Sequence, residues 1–156
     1  MATVYSVQKT KWSQNNPTER INTNEQAGRV RIAYATLETS SLAQNDVIEM
    51  FNLPNAARIV NGWLGHDALG SSTELSVGYA AHTTSAGATV ALDADEYKVA
   101  AASTADAVTA FPTTMALQAF SATDADGTGV PITVTLTGAN ATDDKTISLT
   151  ILYVVD

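Results

Sequence analysis

Residues 45–79 read NDVIEMFNLPNAARIVNGWLGHDALGSSTELSVGYA, and the punctuation of this stretch decides the fold class. It holds three apolar blocks of strand length: Val47–Leu53, Ile59–Leu64 and Leu75–Tyr79. Turn formers separate them, first Leu53-Pro54-Asn55 and then the run from Gly65 to Ser72. Short apolar blocks at this spacing, with turn signals between them, predict an all-β sandwich or barrel. Asn45 could instead cap a helix carrying Val47, Ile48 and Phe51 on one side. The β-branched and aromatic content favours a strand, and Pro54 ends either element. Within Ile59–Leu64, Gly62 suggests a bulge, and Trp63 has the setting of a core residue.

The same reading extends outward. Arg29–Thr36 alternates, with Val30, Ile32 and Tyr34 to one side and Arg29, Arg31, Ala33 and Ala35 to the other. That pattern is a strand, here with the arginines on its exposed side. Val108–Phe111 and Met115–Phe120 are further strands. Ile132–Leu136 and Ile147–Tyr153 alternate with threonine and serine, and they predict a closing hairpin with Asp143-Asp144 at its tip. Leu152–Val155 is apolar on both faces, as a central or covered strand would be. Ala80–Gly87 and Asp124–Gly129 read as loop and turn. Asp93–Ser103 collects the best helix formers, with Asp93 as a cap, and predicts the one short helix.

The N-terminus is different. Ala2–Val7 is a strand candidate, but Gln8–Ala27 is polar, aperiodic and interrupted by Pro17. The expected organisation is a strand and extended arm over 1–27, then a single antiparallel β-sandwich over 28–156. No internal repeat or linker divides the chain.

The 156 residues suffice for one real core. There is no cysteine, so no disulfide framework holds it. The sequence shows no basic and apolar leader, and its apolar runs are too short to span a bilayer. Net charge is −8, which disfavours nucleic acid as a partner. The charge is uneven: residues 1–58 hold six basic and five acidic side chains, and the remainder two and eleven. The acidity serves solubility, or it marks one end for solvent and the other for a partner. Only 15% of residues are charged, below the roughly 25% of an average domain.

Chemistry-bearing patterns are sparse. Asp124-Ala125-Asp126-Gly127 begins like a calcium loop but lacks its later ligands. His66 and His82 are the only histidines, too few for a zinc site without cysteine. His66-Asp67 has no nucleophile context, and no phosphate or dinucleotide loop is present. No enzyme, cofactor or metal is expected. Asn140-Ala141-Thr142 matches a glycosylation sequon by chance alone. Partner binding is better served. Lys9, Lys11, Trp12 and Arg20 lie on the arm, and Arg29 and Arg31 can meet carboxylates in bidentate fashion or stand solvated. Trp12 must dock on its own domain or on a neighbour.

The order Leu53-Pro54, Ala57-Arg58-Ile59-Val60, Asp67–Thr73 and Leu75–Gly78 resembles a pattern in small structural proteins of tailed bacteriophages. Asp95-Glu96-Tyr97 and the final Tyr153-Val154 are similar too, so that about two-thirds of the chain takes part. The resemblance implies a capsid decoration (cement) protein, a jelly-roll sandwich on the outer capsid surface of the virion, made in the host cytoplasm. Its partners would be the major capsid protein and copies of itself, as a trimer. A head-fibre base, a tail component or a carbohydrate-binding sandwich are the alternatives. Tyr79 stands where the pattern has Asp, and the arm over 8–27 lies outside the resemblance.

Overall fold

The computed structural model describes residues 6, 9–11, 28–55, 57–84, 87–111, 118–119 and 129–155. They form an all-β sandwich of two antiparallel sheets. Sheet I runs β1 (Arg31–Glu38), β11 (Thr146–Val154), β3 (Arg58–His66), β8 (Ala107–Phe111), with the short β9 (Gln118–Ala119) also on β3. Sheet II runs β2 (Val47–Leu53), β10 (Val130–Thr137), β4 (Glu74–Tyr79), β7 (Asp93–Ala102). Along the chain the principal strands change sheet at every step except from β4 to β7, which are neighbours in sheet II, and the first pairs with the last. This is the double Greek-key winding of a jelly roll.

The core lies between the sheets. Sheet I contributes Ile59, Leu64, Phe111, Ile147, Leu149 and Ile151, and sheet II contributes Leu53, Leu75, Val77, Ile132, Val134 and Leu136. All twelve are fully buried, and each is worth about 1.5–3 kcal/mol of transfer free energy. Their period-two spacing fixes register, because a slip of one residue would expose a whole row.

Several sequence expectations change. Asp93–Ser103 forms no helix: residues 93–102 are strand β7, paired to β4. Helix propensity is weak beside the burial of Tyr97 among the core residues. The helical residues described are the single turn Lys9–Lys11. There is no closing hairpin either, since β10 and β11 are central strands of opposite sheets. Alternation shows that both are strands but not that they pair. The Asp143 carboxylate accepts from the Ser41 amide at 2.6 Å, so Asp143 pins the crossing loop. Ala80–Gly87 contains half of a small hairpin, β5 (His82–Thr83) with β6 (Thr89–Val90). The bulge in β3 falls between the Leu152–Asn61 and Tyr153–Ile59 pairs, at Val60 and not at Gly62. Gly62 is needed for another reason: a Cβ there would meet the Phe111 ring and the Thr150 carbonyl.

Other readings hold. Val47–Leu53 is a strand, and β11, apolar on both faces near its end, is central. The Ala2–Val7 strand lies outside the described residues apart from Ser6, the Asp124–Gly129 turn apart from Gly129, and Met115–Phe120 apart from β9.

The two outer faces differ. That of sheet II is closed by the chain itself: the Asp93–Ala94 backbone crosses directly over Gly78, where any Cβ would collide with it. Thr133 and Ser76 beneath are buried. Sheet I has no comparable cover among the described residues.

Candidate interaction face

Strand β1 faces opposite to the sequence expectation. Ala33 and Leu37 pack on the core, while Val30, Ile32 and Tyr34 point outward, Ile32 and Tyr34 being 65% and 64% exposed. Bulky apolar residues normally claim the inward side, which is why the alternation misled. Leu37 shares parity with Ala33 and was the available clue.

Register extends this outward row across the sheet. Tyr34 lies opposite Thr150, Thr150 opposite Trp63, and Trp63 opposite Ala110. One step along, Ile32 lies opposite Leu152 and Leu152 opposite Asn61. On the other side, Ser148, Gly65 and Val108 form a row. Trp63 is 37% exposed and Val108 73%, so Trp63 belongs to this face and not to the core. These side chains leave on the order of 500 Å² of apolar surface in water, within the range of patches that serve as binding sites.

Charge lies at the two ends of sheet I. Arg29 and Arg31 are exposed at the start of β1 but share the parity of Ala33 and Leu37, on the core side of the sheet, and pair with no carboxylate among the described residues. Arg58 opens β3 at the same end. At the far end stand Glu38, Asp67 and Asp106. Asp67 accepts from the Thr146 amide at 2.8 Å and Asp106 from the Ala68 amide at 2.7 Å. These carboxylates close the loops there.

A shallow groove at that end is lined by His66, Asp67, Asp106, Val108 and Ser148. Its groups are engaged locally: His66 Nδ1 sits 3.0 Å from the Asp67 carbonyl, and the Ser148 hydroxyl donates to the Gly65 carbonyl at 3.3 Å. His82 is elsewhere, edge-on to Tyr79 with centroids 5.6 Å apart. No group of metal-ligating side chains occurs among the described residues. Tyr79, where the phage pattern has Asp, packs against Tyr97 at 6.2 Å. Burial, then the charges of Asp93 and Glu96, hold the Tyr79 hydroxyl above its ordinary pKa. Lys98 on β7 is buried, its ammonium donating to the Leu75 carbonyl at 3.2 Å. Desolvation lowers its pKa.

Of the arm residues singled out from sequence, Lys9 is exposed and Lys11 half-buried on the helical turn. Trp12 and Arg20 lie outside the described residues.

No family model matches the chain, and no curated protein matches its sequence. Solved structures do match. A chain of the cyanophage Pam1 capsid asymmetric unit superposes with TM-score 0.65 at 19% identity, over 92% of this chain and 99% of that one. A chain of the Ralstonia phage GP4 capsid gives 0.62 at 22% identity, over 83% and 86%. The fold is that of chains found in phage capsids. Infectious bursal disease virus holds a similar sandwich (0.52, 13% identity), there as 32% of a longer chain.

Proposed function

We propose that the protein is a structural component of a phage virion, and specifically a decoration protein that binds and stabilises the assembled capsid. The observation that carries this reading is the two-way coverage of the Pam1 match, in which nearly all of this chain corresponds to nearly all of a capsid chain. A small sandwich suits an added component of a shell. The major capsid protein is the proposed partner, on the outer surface of the virion. The resemblance at residues 46–79 adds self-association as a trimer. The function is mechanical and not enzymatic. The 1–27 arm, with Lys9, Lys11, Trp12 and Arg20, bridges neighbouring capsomers, helped by Arg29 and Arg31, while residues 28–156 form the domain it tethers.

Cosedimentation with purified heads tests this reading. The full chain should saturate heads at a fixed ratio to the major shell protein. Lys9→Glu/Lys11→Glu should lower the occupancy. Failure of the unmodified chain to bind any head would refute the decoration role.

One observation favours a second reading. Tyr34 and Trp63 are exposed aromatics in one cross-strand row, and such a row can stack on sugar rings. Polysaccharide binding lost in Trp63→Ala would support a carbohydrate-binding module.

A further inference from the structure

We infer that β1 is a shear clamp: a pull on the N-terminal segment along the strand axis meets the whole β1–β11 ladder at once, and Thr39 locks the far end of that ladder. The inference rests on the proposed function only for the source of the pull, a domain tethered to a shell by its arm.

The ladder comes first. β1 is an edge of sheet I, and β11 is its neighbour there. The hydrogen bonds of an antiparallel pair lie across the strands. A force along β1 therefore strains them together, whereas a force across one end opens them one pair at a time. A register shift is where such a ladder yields first. β7, one edge of sheet II, shifts twice against β4, and β2, the other edge, shifts once against β10. β1 runs from the Arg31–Tyr153 pair to the Glu38–Thr146 pair without a shift. Bulges guard natural edges against stray pairing. β1 gives up that guard and keeps its ladder unbroken.

The lock comes second. Thr39 directly follows β1 and is 1% exposed. Its amide donates to the Lys145 carbonyl at 2.7 Å, and its carbonyl accepts from the Asp144 amide at 2.9 Å. Its hydroxyl donates to the Thr142 carbonyl at 2.7 Å and accepts from the Lys145 amide at 3.0 Å. Backbone and side chain thus both grip the segment that leads into β11. Thr146, the first residue of β11, is bound in turn to Asp67 just past β3. Its amide donates to the Asp67 carboxylate at 2.8 Å, and its carbonyl accepts from the Asp67 amide at 3.0 Å. A pull on β1 is shared in this way with the central strands β11 and β3. Leu37 packs against the core on the inward side, so β1 cannot slide without withdrawing it.

Direction decides the response. Arg31 lies opposite Tyr153 and Glu38 opposite Thr146, so the segments before β1 and after β11 leave the sandwich at one end and Thr39 lies at the other. Pulling one terminus against the other opens the ladder from Arg31. Pulling the N-terminus against the Thr39 end shears it. A tether that leaves along the strand loads it in the second way.

Single-molecule pulling on the full chain tests the clamp, and the cysteine-free sequence allows a thiol handle at one chosen site. One handle is N-terminal. The other is placed at the C-terminus or at Ser71→Cys, an exposed position between β3 and β4 at the Thr39 end. Forced unfolding reads the barrier to opening, not the equilibrium stability. The Ser71 geometry should resist several-fold more force than the terminus-to-terminus geometry. Thr39→Val should lower the force with the Ser71 handle and leave the terminal geometry unchanged, whereas loss of a merely structural threonine would lower both. Should Thr39→Val misfold by circular dichroism, the two geometries of the chain that keeps Thr39 decide. Equal forces in the two geometries, or a Thr39→Val loss of equal size in both, would overturn the inference. Cosedimentation is read separately: a chain that shows the directional difference but binds no head refutes the decoration role and leaves the clamp standing.

Discussion

Replacing Gly62 by alanine should destabilise the sandwich by about 2 kcal/mol, although it adds one methyl group. The new Cβ would stand 2.7 Å from Phe111 Cε2 and 2.9 Å from the Thr150 carbonyl oxygen. Phe111 is fully buried on β8 opposite Gly62, so its ring has nowhere to swing. The Thr150 oxygen belongs to β11 at the centre of the sheet, and it moves only with that strand. Overpacking of this kind costs about 1–3 kcal/mol, and the contact with immovable backbone places it near the top of that range. Stiffening of the unfolded chain by alanine returns about 0.4–1 kcal/mol. A net loss of about 2 kcal/mol corresponds to a fall in Tm of roughly 4–8 °C for a chain of this length. Urea unfolding at fixed protein concentration measures it, with concentration held because association shifts apparent stability. A double-mutant cycle with Phe111→Leu isolates the clash. Leucine retreats from Gly62, so Gly62→Ala should cost about 1 kcal/mol less in that background. A Gly62→Ala protein within 0.5 kcal/mol of the parent, or strict additivity with Phe111→Leu, would refute this account of why glycine stands there.

Lys98→Met should flatten the alkaline stability profile. Burial lowers the Lys98 pKa in the fold, so the folded state binds its proton less well than the unfolded chain does. Stability from this group therefore rises as pH climbs from the folded pKa towards 10.5, and methionine removes that rise. Thermal melts of both proteins across this window, compared as a difference, check it; parallel profiles would contradict it. Tyr97, whose pKa burial raises, works in the opposite sense only above about pH 10 and cancels in the difference. Asp67→Ala should cost about 1–2 kcal/mol, because the Thr146 amide at the start of β11 loses a charged acceptor; chemical denaturation reads it directly.

The strands were legible because alternation and turn residues carry them locally. Val47–Leu53, Leu75–Tyr79 and Ile147–Tyr153 each declare themselves within a few residues. Pairing is not local. Ile132–Leu136 and Ile147–Tyr153 look like two arms of a hairpin, and nothing in either says that Gly138–Lys145 carries the chain to the opposite sheet. Asp93–Ser103 departs from its helix propensity for a related reason: its helix formers are outweighed by a strand partner, β4, some twenty residues earlier. The exposed face of sheet I was hidden more deeply. Periodicity separates two faces of a strand but does not say which is wet, and in β1 the small residues lie inward. Charge set the arginines at 29 and 31 on the wet side and left Ile32, Tyr34 and Trp63 looking like core, whereas the structure turns the two sides of β1 the other way.

That inversion bears on how the chain divides its work. A jelly roll needs bulk between its sheets, and here β11 and β3 supply it from Leu149, Ile151 and Leu64. β1 adds only Ala33 and Leu37 to that side, so its larger side chains are surplus to folding. An isolated monomer gains nothing from Ile32 and Tyr34 in water, and it carries an aggregation risk on an unguarded edge. The second sheet shows that this sequence can guard an edge and can close a face over itself, with Asp93–Ala94 laid across Gly78. Among the described residues the first sheet does neither. The acidic surplus after residue 58 then acquires a positional meaning beyond solubility. Asp67 and Asp106 hold their loops and at the same time make one end of the open face acidic. Folding thus accounts for the inward side of β1, and among the described residues nothing in the fold uses the outward side.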